Sequence, residues 1–317
     1  MAKYITRVGV LGLLVAFTLG GLSASPRGKP LRFIFIAPLI KEAFFGPVKK
    51  GMNDAARMMG VSCTFTGTED VNVVKQAEMV KQAIDQGYDG IALDIIDPVA
   101  FDEVAQLAAD RGIPLVAFNV DDNATPNARL SAVCQNLYQA GQTTGTQAAP
   151  FIAPNSQILM TMHDEGVSAL EDRLHGAQEV LKDKGVTWKV IITGSTAEAS
   201  AGVVAKALKE NPDIKVVLCT GQADTEGAGL AIEREFKGGG YWAAGYDLSS
   251  QTLRLIKAGV IRFTIDQQPY IQGFYPVVQL ALRCRYGIAP SSIDAGAAVI
   301  SAANVAVVSE LCRKGYR

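Results

Sequence analysis

The chain has little of what enzymes and nucleic-acid binders rely on. Only two histidines, His163 and His175, occur in its 317 residues. Two His and scattered acids do not make a metal cluster, and no cofactor is expected. There is no GxxxxGK[ST] phosphate loop, no HExxH and no GxSxG elbow. The nearest elbow lookalike, Gly166-Val167-Ser168-Ala169-Leu170, lacks the final Gly. GxGxxG is also missing, which removes the main support for dinucleotide binding. Cys63, Cys134, Cys219, Cys284 and Cys312 contain no CxxC pair, so zinc-knuckle and thioredoxin-type motifs are excluded. Thirty Lys and Arg face 31 Asp and Glu, for a formal net charge of −1. Phosphate backbones demand clustered cations, and no basic stripe is present. Nucleic acid is therefore not expected as a partner, and an enzyme has nothing specific in its favour.

What is present begins with a leader. Lys3 and Arg7 precede an apolar run over residues 8–22, followed by the small residues Ser23, Ala24 and Ser25. Positive charge, a short apolar core and small residues are the pattern of a cleaved secretory signal. A membrane span needs roughly 20 apolar residues, and this run is shorter. Residues 1–25 are expected to be removed on export, and no Cys after them indicates a lipid anchor. Export permits disulfides; Cys284 with Cys312 is the first pair to test, with free buried thiols the equal alternative.

The rest, 49% apolar over the whole sequence, reads as a soluble protein with large cores. Apolar strand patterns at 32–37, 61–65, 90–93 and 114–118 alternate with helical patterns at 44–59, 71–86 and 99–110. A further apolar stretch at 129–133 leads to a helix at 137–149. The theme then restarts: strands at 158–161, 188–192, 215–219, 241–244 and 262–265 alternate with helices at 168–184, 199–210, 225–236 and 251–258. A long helix at 270–286 closes the regular part. Near-continuously apolar strands between amphipathic helices imply parallel sheets covered on both faces. About ten such units are too many for one ordinary sheet, so two similar lobes of an α/β protein are expected.

In such folds ligands gather beyond the C-terminal ends of the strands. Two adjacent aromatics, Phe44 and Phe45, follow the first strand in a chain only 7% aromatic. Aromatic faces suit the C–H faces of sugar rings, while acids and amides bond hydroxyls; equally, one of the two could plug the helix base into its lobe. Other strand ends offer Asp94 and Asp97, Asn119, Gln222 and Asp224, Asp247, and Gln267. Each also has a local reading. Asp97 before Pro98 looks like an N-cap, Asp224 could cap its helix, and Asp247 could satisfy its own turn. His163, with Asp164 and Glu165 beside it, sits at a strand end, where a site role is open to it, but reads first as a lone solvent-exposed histidine; His175 falls in a helix and reads as structural. Their repetition in both halves favours a shared polar cleft.

Phe44-Phe45, Gly245-Tyr246-Asp247 and Thr264-Ile265-Asp266-Gln267-Gln268-Pro269 carry a resemblance that extends from Arg32 to about Ala289. The chain resembles the type I periplasmic sugar-binding proteins of bacterial ABC importers, in the ribose-binding branch. The resemblance implies two Rossmann-like lobes with parallel sheets joined by a three-crossover hinge. The lobes would comprise residues 31–134 plus 268–300 and residues 135–267 plus 301–317, with crossovers near 134–135, 267–268 and 300. It implies a non-enzymatic, monomeric, periplasmic receptor that captures a hexose, pentose, polyol or amino sugar and delivers it to a membrane permease and its ATPase. A ligand-sensing subunit of a chemoreceptor or histidine kinase is the alternative, and a secreted sugar-modifying enzyme a more distant one. Phe44 and Phe45 would stack on the sugar; Asp94, Asn119, Asp247 and Gln267 would bond hydroxyls, with Gln222 or Asp224 helping from the second lobe. Ribose binders carry Arg where this chain has Val120 and Glu171, Asn where it has Glu42, and an aromatic near Ala197. These departures imply a more anionic cleft, tempered by Arg173, and raise an amino sugar as a candidate beside neutral ligands.

Overall fold

The computed structural model describes residues 29–41, 43–97, 99–121 and 127–317. The expected signal segment 1–25, Glu42 and Pro98 lie outside the described residues. Leu31–Arg317 form one unit built on two six-stranded sheets.

In the first sheet, β1 (Arg32–Ala37), β2 (Ser62–Gly67), β3 (Gly90–Leu93), β4 (Leu115–Asn119), β5 (Ala132–Cys134) and β11 (Ile293–Asp294) run in the order β11-β5-β4-β3-β1-β2, all parallel. The second sheet holds β6 (Gln157–Met162), β7 (Thr187–Ile192), β8 (Val216–Cys219), β9 (Trp242–Tyr246), β10 (Ile261–Asp266) and β12 (Ala298–Ser301), ordered β12-β10-β9-β8-β6-β7. Only β12 is antiparallel there, on β10. Its first five strands repeat the 2-1-3-4-5 order of the first sheet, which is the restart read from the sequence. The central strands are apolar throughout because both faces are covered. β1 reads Phe-Ile-Phe-Ile-Ala after its first residue and is buried along that run, as a parallel strand between helix layers must be. Separate apolar clusters lie on the two sides of each sheet.

The chain passes between the sheets three times. After β5 it enters α4 (Leu137–Ala148), which packs on α5 (Ser168–Leu181) beside the second sheet. After β10 it returns through α9 (Pro269–Tyr286), packed on α1 (Phe45–Met59) beside the first. The third passage lies between Asp294 and Ala298, a few residues before the expected position at Ile300, because antiparallel pairing with β10 already places Ala298–Ser301 in the second sheet. These passages are tied to one another. Gln135 Nε2 donates to the Gly296 carbonyl and Gln268 Nε2 to the Ala295 carbonyl, each at 2.8 Å. The Ala295 amide donates to the Cys134 carbonyl at 2.8 Å.

Three local expectations change. The helix expected at 99–110 begins at Asp102 as α3 (Asp102–Asp110), because Asp97 Oδ1 accepts from the Val99 and Ala100 amides and holds a turn first. The regular part does not end at 286: β11, β12 and α10 (Val305–Arg313) follow. Among the described residues no cysteine is in a disulfide. Cys284 is exposed on α9 and donates to the Asp89 carbonyl, whereas Cys312 belongs to α10, which packs on α8 (Ser250–Lys257).

Both helix pairs close through glycine. A Cβ on Gly273 of α9 would stand 1.9 Å from the Val48 carbonyl oxygen, and one on Gly176 of α5 would stand 2.1 Å from that of Tyr138. Backbones this close tolerate no side chain. Gly273→Ala is expected to destabilise the protein by about 1–3 kcal/mol in urea unfolding. Gly202→Ala, at an exposed position inside α6 (Ala197–Glu210) with open space around it, should instead stabilise it by about 0.5–1 kcal/mol. Equal effects of the two changes would contradict the close packing.

Candidate functional site

A cavity of about 490 Å³ lies where the C-terminal strand ends of the two sheets face each other. Its walls are almost entirely strand-end loops and the helix starts that follow them, as the crossover geometry of open α/β sheets requires. From the first sheet come Leu39, Phe44 and Phe45 after β1, Glu69 and Val71 after β2, Ile96 after β3, and Asn119 and Val120 at the end of β4. From the second come His163 after β6, Arg173 within α5, Ala197 after β7, Gln222 at the start of α7 (Gln222–Glu235), and Asp247 and Gln267 after β9 and β10. The lobes touch beside the cavity, where the Ser168 amide donates to the Ile96 carbonyl at 3.1 Å.

Local backbone sets these side chains. Among the described residues five non-glycine residues have positive φ, and four of them stand at this site or its hinge: Leu39 (49°), Asn119 (63°), Asp247 (67°) and Gln268 (53°). The left-handed region is tolerated by Asn and Asp but costs Leu and Gln more. Such residues cluster where a fold holds functional groups in place.

Polar groups then fix one another. Asp94 is fully buried behind the wall; its carboxylate accepts from Asn119 Nδ2 at 2.8 Å and from the Val120 amide at 3.2 Å. It orients Asn119 and does not itself line the cavity. Asp247 Oδ1 accepts from Gln267 Nε2 at 2.7 Å. Burial pushes the Asp247 carboxyl above its ordinary range, while Arg173 and the Gln267 hydrogen bond pull it back. The Arg173 guanidinium lies 4.1 Å over the Tyr246 ring. Its Nη1 donates to the Thr220 carbonyl and its Nη2 to Gln135 Oε1, both at 2.8 Å. Phe44 and Phe45 meet edge to face, with centroids 5.2 Å apart. Both also belong to the core beneath the first sheet, so each combines the plugging and cavity-facing roles.

The structure thus gathers Phe44, Phe45, Asn119, Arg173, Gln222, Asp247 and Gln267 around one cavity. Three expected residues stand apart. Asp94 acts through Asn119. Asp224 is consumed as a helix cap: its carboxylate accepts from Thr161 Oγ1 and from the Thr220 and Gly221 amides, with burial pushing it up to about 6 against those donors. Glu171 is exposed on α5 and absent from the cavity wall. Two residues of helix turn about 200°, so Arg173 points inward where Glu171 points out. Of the acids expected to make the cleft anionic, Asp247 lines the cavity, joined by Glu69 and Glu226, whereas Asp94 and Glu171 do not; Arg173 and Lys41 place cations in the same wall.

His163 is the residue whose setting the sequence misstated. It is 9% exposed, not solvated, and its ring presses on Gly221, where a Cβ would come within 2.6 Å. Its place directly after β6, like that of Asn119 at the end of β4, was the available signal. His175 is exposed on α5. Among the described residues no group of His, Cys, Asp and Glu is arranged to hold a metal ion.

Comparison with known proteins agrees with this geometry. Residues 33–285 match the model of the periplasmic binding protein domain. The chain belongs to that family. The xylose/arabinose-binding protein XylF of Sulfolobus acidocaldarius is 29% identical over 295 residues, covering 88% of this chain and 73% of that protein. The D-allose-binding periplasmic protein of Escherichia coli is 24% identical over 255 residues, covering 75% and 79%. Among solved structures, a carbohydrate transporter from Acidothermus cellulolyticus in complex with myo-inositol superposes with a TM-score of 0.81 at 26% identity, over 91% of this chain and all of that one.

Burial lowers the His163 pKa from 6.5 to about 4, against a nearby Asp164 that favours the charged ring. A histidine whose folded pKa lies below its unfolded value contributes stability above pH 6.5 that is lost as pH falls toward about 4. Replacing it by Gln removes that loss. The stability gap between wild type and His163→Gln in urea unfolding is expected to shrink between pH 7.5 and pH 4.5; parallel pH profiles would show that the ring is not buried neutral.

Proposed function

We propose that the protein is a periplasmic, monomeric solute-binding protein that captures a neutral sugar or polyol between its lobes and hands it to the permease and ATPase of an ABC importer. The observation that carries this reading is the cavity itself. An aromatic pair on one lobe faces an Asp247–Gln267–Arg173 group on the other, with Asn119 oriented from behind by Asp94. Stacking faces with convergent donors and acceptors are what a polyhydroxylated ring requires. XylF, the D-allose-binding protein and the myo-inositol complex support the same ligand class. Arg173 lies close enough to Asp247 to offset its charge, which favours a neutral ligand over an amino sugar. Ligand bridging both lobes would shift the population toward the closed arrangement.

A thermal-shift screen of the mature protein against pentoses, hexoses, polyols and amino sugars tests the reading. A micromolar binder at millimolar ligand stabilises the native state by about 4 kcal/mol, a large shift. The bound sugar should be recovered chemically unchanged; turnover would indicate an enzyme instead, and no shift with any sugar would end the sugar-binding reading. Removing a hydrogen bond to a charged group costs about 1.5–3 kcal/mol, so Asp247→Ala should weaken calorimetric affinity at least tenfold. A folded Asp247→Ala protein with unchanged affinity would remove Asp247 from the site.

A further inference from the structure

The cavity is chemically two-sided. Its polar groups include Asn119, Arg173, Gln222, Glu226, Asp247 and Gln267. Another part of the wall is formed by Ile96 and Val120 of the first lobe with Val167 and Leu170 of the second, all in one apolar cluster with Val71 packed against it. These side chains can satisfy no hydroxyl, and several of their backbone groups are already engaged. The Ile96 carbonyl accepts from Ser168, and the Val120 carbonyl accepts from the Ile95 amide at 3.1 Å. The Val120 amide donates to the Phe118 carbonyl and to Asp94, and the Val167 carbonyl accepts from the Leu170 amide at 2.9 Å. Burial keeps the neighbouring His163 neutral above about pH 4, so it adds no charge there.

A sugar hydroxyl seated on these side chains, away from the partnerless His163 Nδ1, would lose its water and gain no partner, a loss of roughly tenfold to a hundredfold in affinity. A methyl or methylene group in the same place gains burial instead, and one such group in an apolar pocket discriminates by roughly 10–200-fold. The cavity, at about 490 Å³, falls within the range that holds drug-sized ligands and leaves room for a substituent on a single ring.

We infer that the ligand is a sugar bearing an apolar substituent, either the methyl of a 6-deoxy sugar or the alkyl group of a simple glycoside, seated on the wall of Val71, Ile96, Val120, Val167 and Leu170. The inference rests on the sugar-binding reading and narrows it. The wall belongs to both lobes, so a substituent placed there joins them across the Ser168–Ile96 contact, while the hydroxyl edge meets Asp247, Gln267 and Asn119.

The test is calorimetric titration of the mature protein with matched pairs: L-fucose with L-galactose, L-rhamnose with L-mannose, and the methyl glycosides of xylose and galactose with their parent sugars. The substituted member of at least one pair should bind tenfold or more tightly than its parent, and which pair does so separates a deoxy methyl from an alkyl aglycone. Val120→Thr keeps the shape and adds a hydroxyl, and should cut that preference at least threefold. Should that variant fail to fold, Val167→Thr reads the same wall from the other lobe, and the wild-type titrations stand without either. Parents binding as well as or better than every substituted partner would overturn the inference and leave sugar capture intact. Failure of all these sugars to bind would overturn both.

Discussion

Burying a guanidinium costs several kcal/mol unless its donors are met, and Arg173, 4% exposed, is met by three separate parts of the chain. Thr220 offers a carbonyl from the end of β8, Gln135 an amide oxygen from the first passage between the sheets, and Tyr246 its ring face from β9. Asp247, next in the chain to Tyr246, lies close enough for its charge to be felt. None of these groups is free to move without stranding a buried charge. The second lobe's contribution to the cavity is therefore held by the same contacts that tether it to the hinge, since Gln135 also donates to Gly296 of the third passage. Recognition and hinge geometry share one side chain.

The duplicated strand order explains why these groups meet at all. In each sheet the chain reverses direction across the sheet between its first and third strands, which opens a crevice at their C-terminal ends. Two such crevices face to face make one cavity with loops converging from both sides. Glycines in the α1–α9 and α4–α5 pairs let the helices flanking each sheet approach to backbone contact, and this close packing holds the starts of α1 and α5, where Phe45 and the Arg173 turn are anchored.

Much of this was legible in the sequence because position after a strand is a strong geometric statement. Asn119 ends an apolar strand, Asp247 and Gln267 directly follow one, and Phe44 and Phe45 open the helix that comes after β1; a strand end in this fold has only one place to go. Local hydrogen bonding was less legible. Asp94 and Asp224 also follow strands, yet each carboxylate turns to amides and side chains of its own lobe, and no pattern of residue types distinguishes an acid that caps from one that faces a ligand. Glu171 and Arg173 were separated only by helical phase, which a two-residue shift reverses. The last elements escaped because β11 and β12 span two and four residues, too short for any periodicity to emerge. His163 was misplaced for a related reason: solvation is the ordinary fate of a loop histidine, and its burial here depends on Gly221 from another strand end leaving room for the ring.

The capture mechanism proposed for the chain places a demand on the contacts between lobes. Whatever separates when the cavity opens must be weak enough for a small ligand to tip the balance, because a ligand shifts a two-state equilibrium only by its differential affinity. The hinge bonds among Gln135, Gly296, Gln268 and Ala295 join adjacent passages and can persist while the lobes rotate. What must break is the Ser168–Ile96 bond and the apolar meeting of Ile96 and Val120 with Val167 and Leu170. One exchanged hydrogen bond is worth about 1 kcal/mol net. A ligand that covers the same apolar surface while bonding Asp247 and Asn119 would add to closure from both sides of the cavity, so the composition of the wall bears on how readily the lobes close as well as on which ligand closes them.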